Sequence, residues 1–331
     1  MSDTGDDLSG RLAEVMRAAV GAPDAEVRDL KRLTGGASRE TWSFDLHRDG
    51  VADELILRRA PSGAPANKAS GDLMLLEAAA IREAARVGVP EPEILAAESD
   101  VGVLGAPFIV MRRIEGETIA RRILRDERFA TARSRIAAQC GTILGSLHTM
   151  NTEVVPGVPD IDALTVLRTM FEDTRVVSPT LELAFRWLIA NRPVATRKVV
   201  VHGDFRLGNL IIDEQGVAAV LDWELVHLGD PMEDLGWLCV RAWRFGGPQP
   251  VAGVGPYDEL FAAYEAASGV AVDASVVRWW ELYGTVKWGV ICIVQANRHL
   301  SGAERSVELA AIGRRLCEQE YDALHLLEEL V

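Results

Sequence analysis

Cysteine is scarce: the 331-residue chain has four, and no two of them are close in sequence. Cys140, Cys239, Cys292 and Cys317 therefore offer no C-x-x-C metal or redox pair. Scattered thiols of this kind suit a reducing cytoplasm. Long apolar runs are missing too. None approaches the roughly 20 residues of a membrane span, and the acidic, polar opening "MSDTGDDLSG" is wrong for a signal peptide. The expectation is a cytoplasmic chain with no membrane partner. Nor is there a surplus of positive charge: 49 acidic residues face 35 basic ones, a formal net charge of -14. That argues against general binding to nucleic acid or anionic lipid, both of which need a basic surface. The acidity serves solubility and leans weakly toward a cationic substrate. Repeats and low-complexity tracts are absent. What is there is an ordinary globular composition, 48% hydrophobic and 25% charged, in a length that suits two modest domains or one two-lobed enzyme.

The apolar pattern changes character near residue 113. Residues 8–20 read as a short amphipathic helix, and 27–32, 41–47 and 54–58 as strands rich in β-branched, aromatic or aliphatic residues. "TGGAS" joins the first two strands and "RDG" the next two. A helix over 73–87 stops at Gly88 with Pro90 beyond it, and 107–113 is a further strand. From Thr118 onward the pattern is mostly helical, except for one hairpin: "LII", a turn over 213–216, then "VAAVL". A small β-rich part (1–112) thus precedes a larger helical part (113–331), and a nucleotide is naturally housed between two lobes.

The stretch "VVHGDFRLGNLIIDEQGVAAVLDWE" carries the chemistry. Asp204 and Asn209 lie between two strand-like runs, and Asp222 ends the next strand. Polar groups so close to apolar runs are expensive to bury without partners; a metal ion and a phosphate would be such partners. "HGDFRLGN" followed by "LDWE" resembles the catalytic core of the aminoglycoside phosphotransferase and choline kinase group, relatives of the protein kinases. "LTGGASRETW" resembles the group's phosphate-binding loop, "LILRR" its third strand, and "GDPMEDLGWL" the helix after the metal site. The variant most similar is the phosphotransferase family related to the kinase domain fused to acyl-CoA dehydrogenases. The resemblance extends over nearly the whole chain and implies an α+β, protein-kinase-like fold of two lobes.

It also implies ATP, Mg2+ and a hydroxyl acceptor. Phosphoryl transfer must hold nucleotide phosphates, neutralise charge with a metal and orient the attacking hydroxyl. Asp204 matches the base position; Asn209 and Asp222 match the metal positions, and hard oxygen donors suit magnesium. His202 matches a structural brace of the catalytic loop and Asp234 an aspartate that supports that loop. Gly35, Gly36 and Ser38 match the loop over the phosphates, since glycine permits close backbone approach. Arg58 stands where protein kinases carry a phosphate-contacting lysine, a departure because arginine presents a planar fork. Glu77 falls inside an apolar helical stripe with Leu73, Leu76, Ala80, Ile81 and Ala84 and needs a partner, which Arg58 would supply. Arg59 points to the opposite strand face and reads as solvated. Backbone groups from Met111 to Arg113 would meet adenine.

In the helical part, "GDPMED" reads as a helix start with Asp230 as N-cap and Glu233 completing a capping box. His148 reads as a core or capping residue. Trp237, Trp243, Trp279, Trp280, Tyr283 and Trp288 form either core or a cage for a quaternary ammonium, while Arg241, Arg244 and Arg298 could grip an anionic acceptor such as a coenzyme A thioester. The acceptor classes are thus a hydroxyacyl-CoA-like metabolite, an amino alcohol or an aminoglycoside-like molecule. Two alternatives stand beside the kinase reading. One is a nucleotide-binding pseudokinase acting as a regulatory module; the other is a metal-dependent hydrolase using His202, Asp204, Asp222 and His227.

Overall fold

The computed structural model describes residues 5–33, 39–61, 68–195 and 197–331. The expected phosphate loop at Gly35, Gly36 and Ser38 lies outside the described residues. The chain divides into two compact units. One runs to Glu115 and takes in Asn151–Val158; the other holds Gly116–Met150 and Pro159–Val331.

The first unit is a five-stranded antiparallel sheet with a helix on each face. Its elements are α1 (Gly5–Val20), β1 (Glu26–Arg32), β2 (Glu40–Arg48), β3 (Val51–Arg59), α2 (Lys68–Arg86), β4 (Ile94–Glu98), a single turn α3 (Val101–Leu104) and β5 (Phe108–Arg112), in the sheet order β1-β2-β3-β5-β4. Asp49 and Gly50, both at positive φ (51° and 77°), form the two-residue loop that pairs Arg48 with Val51. A primed turn of this kind matches strand twist, and aspartate followed by glycine suits it. Alternation along the strands then builds two cores. Phe44, Leu46, Leu55, Leu57, Phe108 and Val110 pack with Leu8, Leu12 and Met16 of α1. Ile56, Ile109 and Met111 pack on the other face with Met74 and Ala78 of α2.

The same alternation decides the fate of the two arginines ending β3. Arg58 shares its face with α2. Arg59 shares the α1 face and is buried rather than solvated: its Nε donates to Glu40 Oε2 at 2.8 Å and its Nη1 to the Leu104 carbonyl at 2.9 Å. Glu40 is its cross-strand partner in register, so sheet pairing itself brings the opposite charges together. The fully exposed role expected for Arg59 fails because that sheet face is covered.

The second unit is mainly helical: α4 (Ala120–Arg125), α5 (Ala130–Leu147), α6 (Ala163–Thr174), α7 (Pro179–Ala190), α8 (Met232–Cys239), α9 (Tyr257–Ser268), α10 (Ala274–Leu300), α11 (Val307–Gly313) and α12 (Leu316–Leu330). Between α7 and α8 come four short strands, β6 (Val199–Val201), β7 (Leu210–Ile212), β8 (Val217–Val220) and β9 (His227–Gly229). β7 and β8 form the expected hairpin, and β6 pairs with β9. Helix α10 is the organising element, packing against α6, α7, α8, α11 and α12. It meets α8 closely because both present glycine. A Cβ at Gly236 would stand 2.5 Å from the Trp280 Cβ, and one at Gly284 2.7 Å from a Val240 methyl. No helix among the described residues is long and apolar enough to cross a membrane.

Candidate functional site

The segment from His202 to Asn209 connects β6 to β7 and ends in a 3-10 turn, Leu207–Asn209. It is braced from beneath by Asp234, in the first turn of α8. Asp234 Oδ2 accepts from the His202 backbone N–H at 2.8 Å, and Oδ1 from the Gly203 N–H at 2.9 Å. His148 Nε2 lies 3.3 Å from the same Oδ2, and its Nδ1 is 3.0 Å from the Tyr264 hydroxyl. Burial of Asp234 pushes its carboxyl up, but the His148 contact and the loop amide outweigh that and hold it below the ordinary aspartate value. His148 is therefore core, as expected, and also part of the brace.

His202 is wholly buried. Its Nδ1 accepts from the Asp204 N–H at 3.2 Å and its Nε2 faces the Leu221 carbonyl at 3.1 Å. An N–H can only donate and a carbonyl only accept, which fixes the neutral Nε2–H tautomer. Burial, the dominant influence, lowers its pKa and keeps that form. His202 thus ties the chain before Asp204 to the chain before Asp222.

Asp204, 15% exposed in its side chain, has three donors around its carboxylate. Oδ1 accepts from Arg206 Nε at 3.0 Å and from Trp237 Nε1 at 2.9 Å; Oδ2 accepts from Asn209 Nδ2 at 2.6 Å. The same Asn209 nitrogen donates to the Asp204 carbonyl at 2.9 Å. With both amide hydrogens directed to Asp204, Asn209 is left with its amide oxygen as the ligating atom. Asp222 sits at φ 71°, ψ 64°, two residues past the end of β8. A left-handed non-glycine residue costs roughly 1–2 kcal/mol, and such strain concentrates at functional positions. An amide oxygen with a carboxylate is a donor set that fits a hard divalent cation.

The hydrolase ligand set gains no support. Both His202 nitrogens are engaged as above. His227 Nδ1 faces the Leu225 carbonyl at 2.8 Å and its Nε2 faces Glu233 Oε2 at 3.2 Å. Two acceptors call for a doubly protonated ring. Burial would lower the His227 pKa, but Glu233 and the carbonyl outweigh it and raise it. Among the described residues no group of three or more His, Cys, Asp and Glu is arranged to hold a metal. The Glu233 pairing also replaces the expected capping box: Asp230 Oδ1 alone caps α8, accepting from the Met232 N–H at 2.9 Å. His227 stabilises the folded chain below the ordinary histidine pKa of 6.5, and that contribution fades as pH rises through its higher folded value. His227→Gln should therefore lose most stability, relative to wild type, in denaturant titrations below about pH 6.5. The gap should narrow toward pH 9, and a pH-independent gap would remove the imidazolium assignment.

In the first unit, Arg58 Nη1 donates to Glu77 Oε1 at 2.5 Å, with Glu77 1% exposed. Arg39, unnoticed in the sequence, adds a second cation 3.2 Å from Glu77 Oε2. Met111 is packed in the core beside Met74. The Arg112 and Arg113 amides donate to the Glu93 and Glu54 carbonyls, both at 2.9 Å, so neither is open to an adenine edge. Arg113 pairs with Glu115 at 2.8 Å.

The late aromatic residues, read as either core or a cage, fall into two groups. Trp279 stacks on Tyr283, and Trp280 meets both edge to face in the core. Trp237, Trp243 and Trp288 form a second cluster, with ring centroids 5.1 and 4.8 Å apart. Its faces are taken by the chain's own cations, Arg206 4.7 Å from the Trp243 ring and Lys287 4.5 Å from the Trp237 ring. Next to it lies a cavity of about 1360 Å³ lined by Phe245 and four arginines, Arg121, Arg241, Arg244 and Arg315, against the carboxylates of Glu318 and Asp322. Arg298 lies elsewhere and pairs with Glu304 at 2.5 Å.

The model of the phosphotransferase enzyme family matches residues 29–280, most of the chain. The chain belongs to that family. Acyl-CoA dehydrogenase family member 11 of Gallus gallus is 30% identical over 323 residues, covering 88% of this chain and 40% of its own length. Family member 10 of Mus musculus is 28% identical over 244 residues, 69% of this chain and 22% of its own. The chain thus spans less than half of these curated relatives. Among solved structures, one from Ralstonia eutropha JMP134 assigned to the aminoglycoside phosphotransferases superposes with TM-score 0.75 at 20% identity, covering 97% of this chain and 98% of its own. The GDP and kanamycin complex of APH(2")-IIIa gives 0.63 at 16%, over 94% and 98%. The fold is α+β and protein-kinase-like, with a small antiparallel-sheet lobe and a helical lobe, and its family and neighbours are phosphotransferases of small molecules.

Proposed function

We propose that the chain transfers the γ-phosphoryl group of ATP to a hydroxyl of a small molecule, with Mg2+. The observation that carries this reading is the asymmetry of Asp204. An ionised carboxylate offers about four lone-pair sites; Arg206 and Trp237 fill those on Oδ1, while among the described residues Oδ2 receives only Asn209. Oδ2 therefore has a site left to align an acceptor hydroxyl and take its proton. The amide oxygen of Asn209 and the carboxylate of Asp222 would hold the metal, which when bound supplies positive charge for the phosphates. Arg58, fixed by Glu77, would meet those phosphates, and Gly35, Gly36 and Ser38 would cover them. Arg58→Met and Glu77→Gln should be coupled by on the order of 1 kcal/mol in a double-mutant cycle on ATP affinity, whereas strictly additive effects would make the pair irrelevant to nucleotide.

For the acceptor, an anionic molecule is favoured over an amine. Arg315 pairs with Glu318, Arg241 with Asp322 and Arg244 with Glu281, which leaves Arg121 as the lining's unmatched charge among the described residues, in a chain of net charge -14. The indole faces beside the cavity already carry cations. A hydroxyacyl-CoA-like metabolite fits that better than an amino alcohol or an aminoglycoside.

Thermal stability with ATP, with Mg2+ and with both is the direct test, because a ligand of the native state raises its stability by mass action. Stabilisation should need both together, and Asp222→Ala should lose the metal dependence. ATP alone sufficing would favour a pseudokinase; metal alone sufficing would favour a hydrolase.

A further inference from the structure

Of the 35 basic residues only four are lysines: Lys31, Lys68, Lys198 and Lys287. Lys287, in α10, is half-buried and turned back onto the segment that carries Asp204. Its Nζ donates to the Gly203 carbonyl at 3.0 Å and lies 4.5 Å from the centroid of the Trp237 ring. Among the described residues it has no carboxylate partner. A lysine on a helix surface ordinarily extends its flexible stem into water, where the ammonium is strongly hydrated. This one gives up part of that hydration for a carbonyl and for an aromatic face whose quadrupole attracts a cation.

Those two partners are the ones that orient Asp204. The Gly203 carbonyl belongs to the peptide group entering Asp204, and Trp237 Nε1 donates to Asp204 Oδ1 at 2.9 Å. Asp234, on α8, fixes the Gly203 N–H from one side. Lys287 fixes the Gly203 carbonyl from another helix. Gly203 has little freedom to adapt: its φ is 79°, and a Cβ there would stand 2.6 Å from the Leu225 carbonyl oxygen. The reach of Lys287 depends on the close α8–α10 contact. A Cβ at Gly284, one turn before Lys287, would stand 3.0 Å from the Trp237 ring.

We propose that Lys287 is a positioning residue for phosphoryl transfer, acting with Trp237 as one device that sets the direction of the Asp204 carboxylate. The proposal rests on the phosphotransferase reading. Its role is separate from nucleotide binding, so its loss is felt in the chemical step. A misplacement of about 1 Å can cost on the order of a hundredfold in rate.

The test follows ADP release from ATP and Mg2+ with water as acceptor, beside amide hydrogen exchange over residues 202–209. Lys287→Met should lower kcat roughly ten- to a hundredfold, leave the KM for ATP within about twofold, and speed exchange of that segment. Lys287→Arg should recover part of kcat by restoring the charge. Trp237→Phe, which keeps the ring face and loses the N–H, should fall similarly, and the double variant no further than the worse single. If Lys287→Met does not fold, Lys287→Arg and Trp237→Phe carry the comparison. Unchanged kcat with unchanged exchange, or losses that multiply independently, would overturn the proposal. A wild type that neither releases ADP nor is stabilised by ATP with Mg2+ refutes the phosphotransferase reading; the exchange measurement still decides whether Lys287 holds the loop.

Discussion

Asp204→Asn is expected to cut turnover by about a hundredfold to ten-thousandfold, the usual contribution of general-base catalysis, while ATP affinity in the absence of Mg2+ stays near that of the wild type. The amide keeps the shape of the carboxylate, and its oxygen can still accept from Arg206 and Trp237. On the other side its NH2 would oppose Asn209 Nδ2, which now donates to Oδ2 at 2.6 Å. Asn209 would have to turn over, presenting nitrogen where its oxygen would meet a metal. Asp204→Ala removes the base without opposing Asn209. Comparing the two separates proton transfer from metal geometry. Both should lose turnover, and any loss of Mg2+-dependent nucleotide binding should be confined to the asparagine variant. Turnover that survives both substitutions removes Asp204 from the chemistry.

The elements of the two units differ in how far a linear reading reaches them. Asp204, Asn209 and Asp222 stand out in the sequence as polar residues beside apolar runs, where burial demands a partner, but the roles proposed for them come from the family resemblance. The alternation of β3 told that Arg58 and Arg59 face opposite ways. It could not tell that both faces are covered, since the partners of Arg59 come from 19 and 45 residues away. β4 went unread because its "ILAAE" is alanine-rich and forms a strand only by pairing with β5, a tertiary override of weak propensity. Glu233 has the spacing of a capping box, yet His227 competes for it from a neighbouring strand. The late tryptophans show helical spacing and no more. Which of them meet Asp204, and which carry Arg206 and Lys287 on their faces, depends on how closely α8 and α10 approach. That approach rests on Gly236 and Gly284, two residues that read in sequence as weak points of a helix.

Asp234→Ala should be the most destabilising single change at the site, by about 3–5 kcal/mol. That is the range for breaking a buried polar pair so that its partners stay behind. The His202 and Gly203 amides and His148 Nε2 would all lose an acceptor in a region where the aspartate itself is fully buried, and each stranded donor costs about 1–3 kcal/mol. Asp234→Asn should fare little better, because its single oxygen can serve one amide while its NH2 opposes the other. The sign with pH is set by the carboxyl lying below its ordinary value of 3.8. Its stabilisation is fully present above that value and is lost as pH falls through the folded pKa. Urea titrations should therefore find the gap between wild type and variant constant from pH 5 to pH 8 and closing only in strong acid. A gap below about 1 kcal/mol at neutral pH would mean that the segment is fixed by Lys287, Asn209 and the β6–β9 pair without help from beneath. With the expected gap, residual folded protein at low temperature should still turn over slowly, since Asp204 would be present and misdirected.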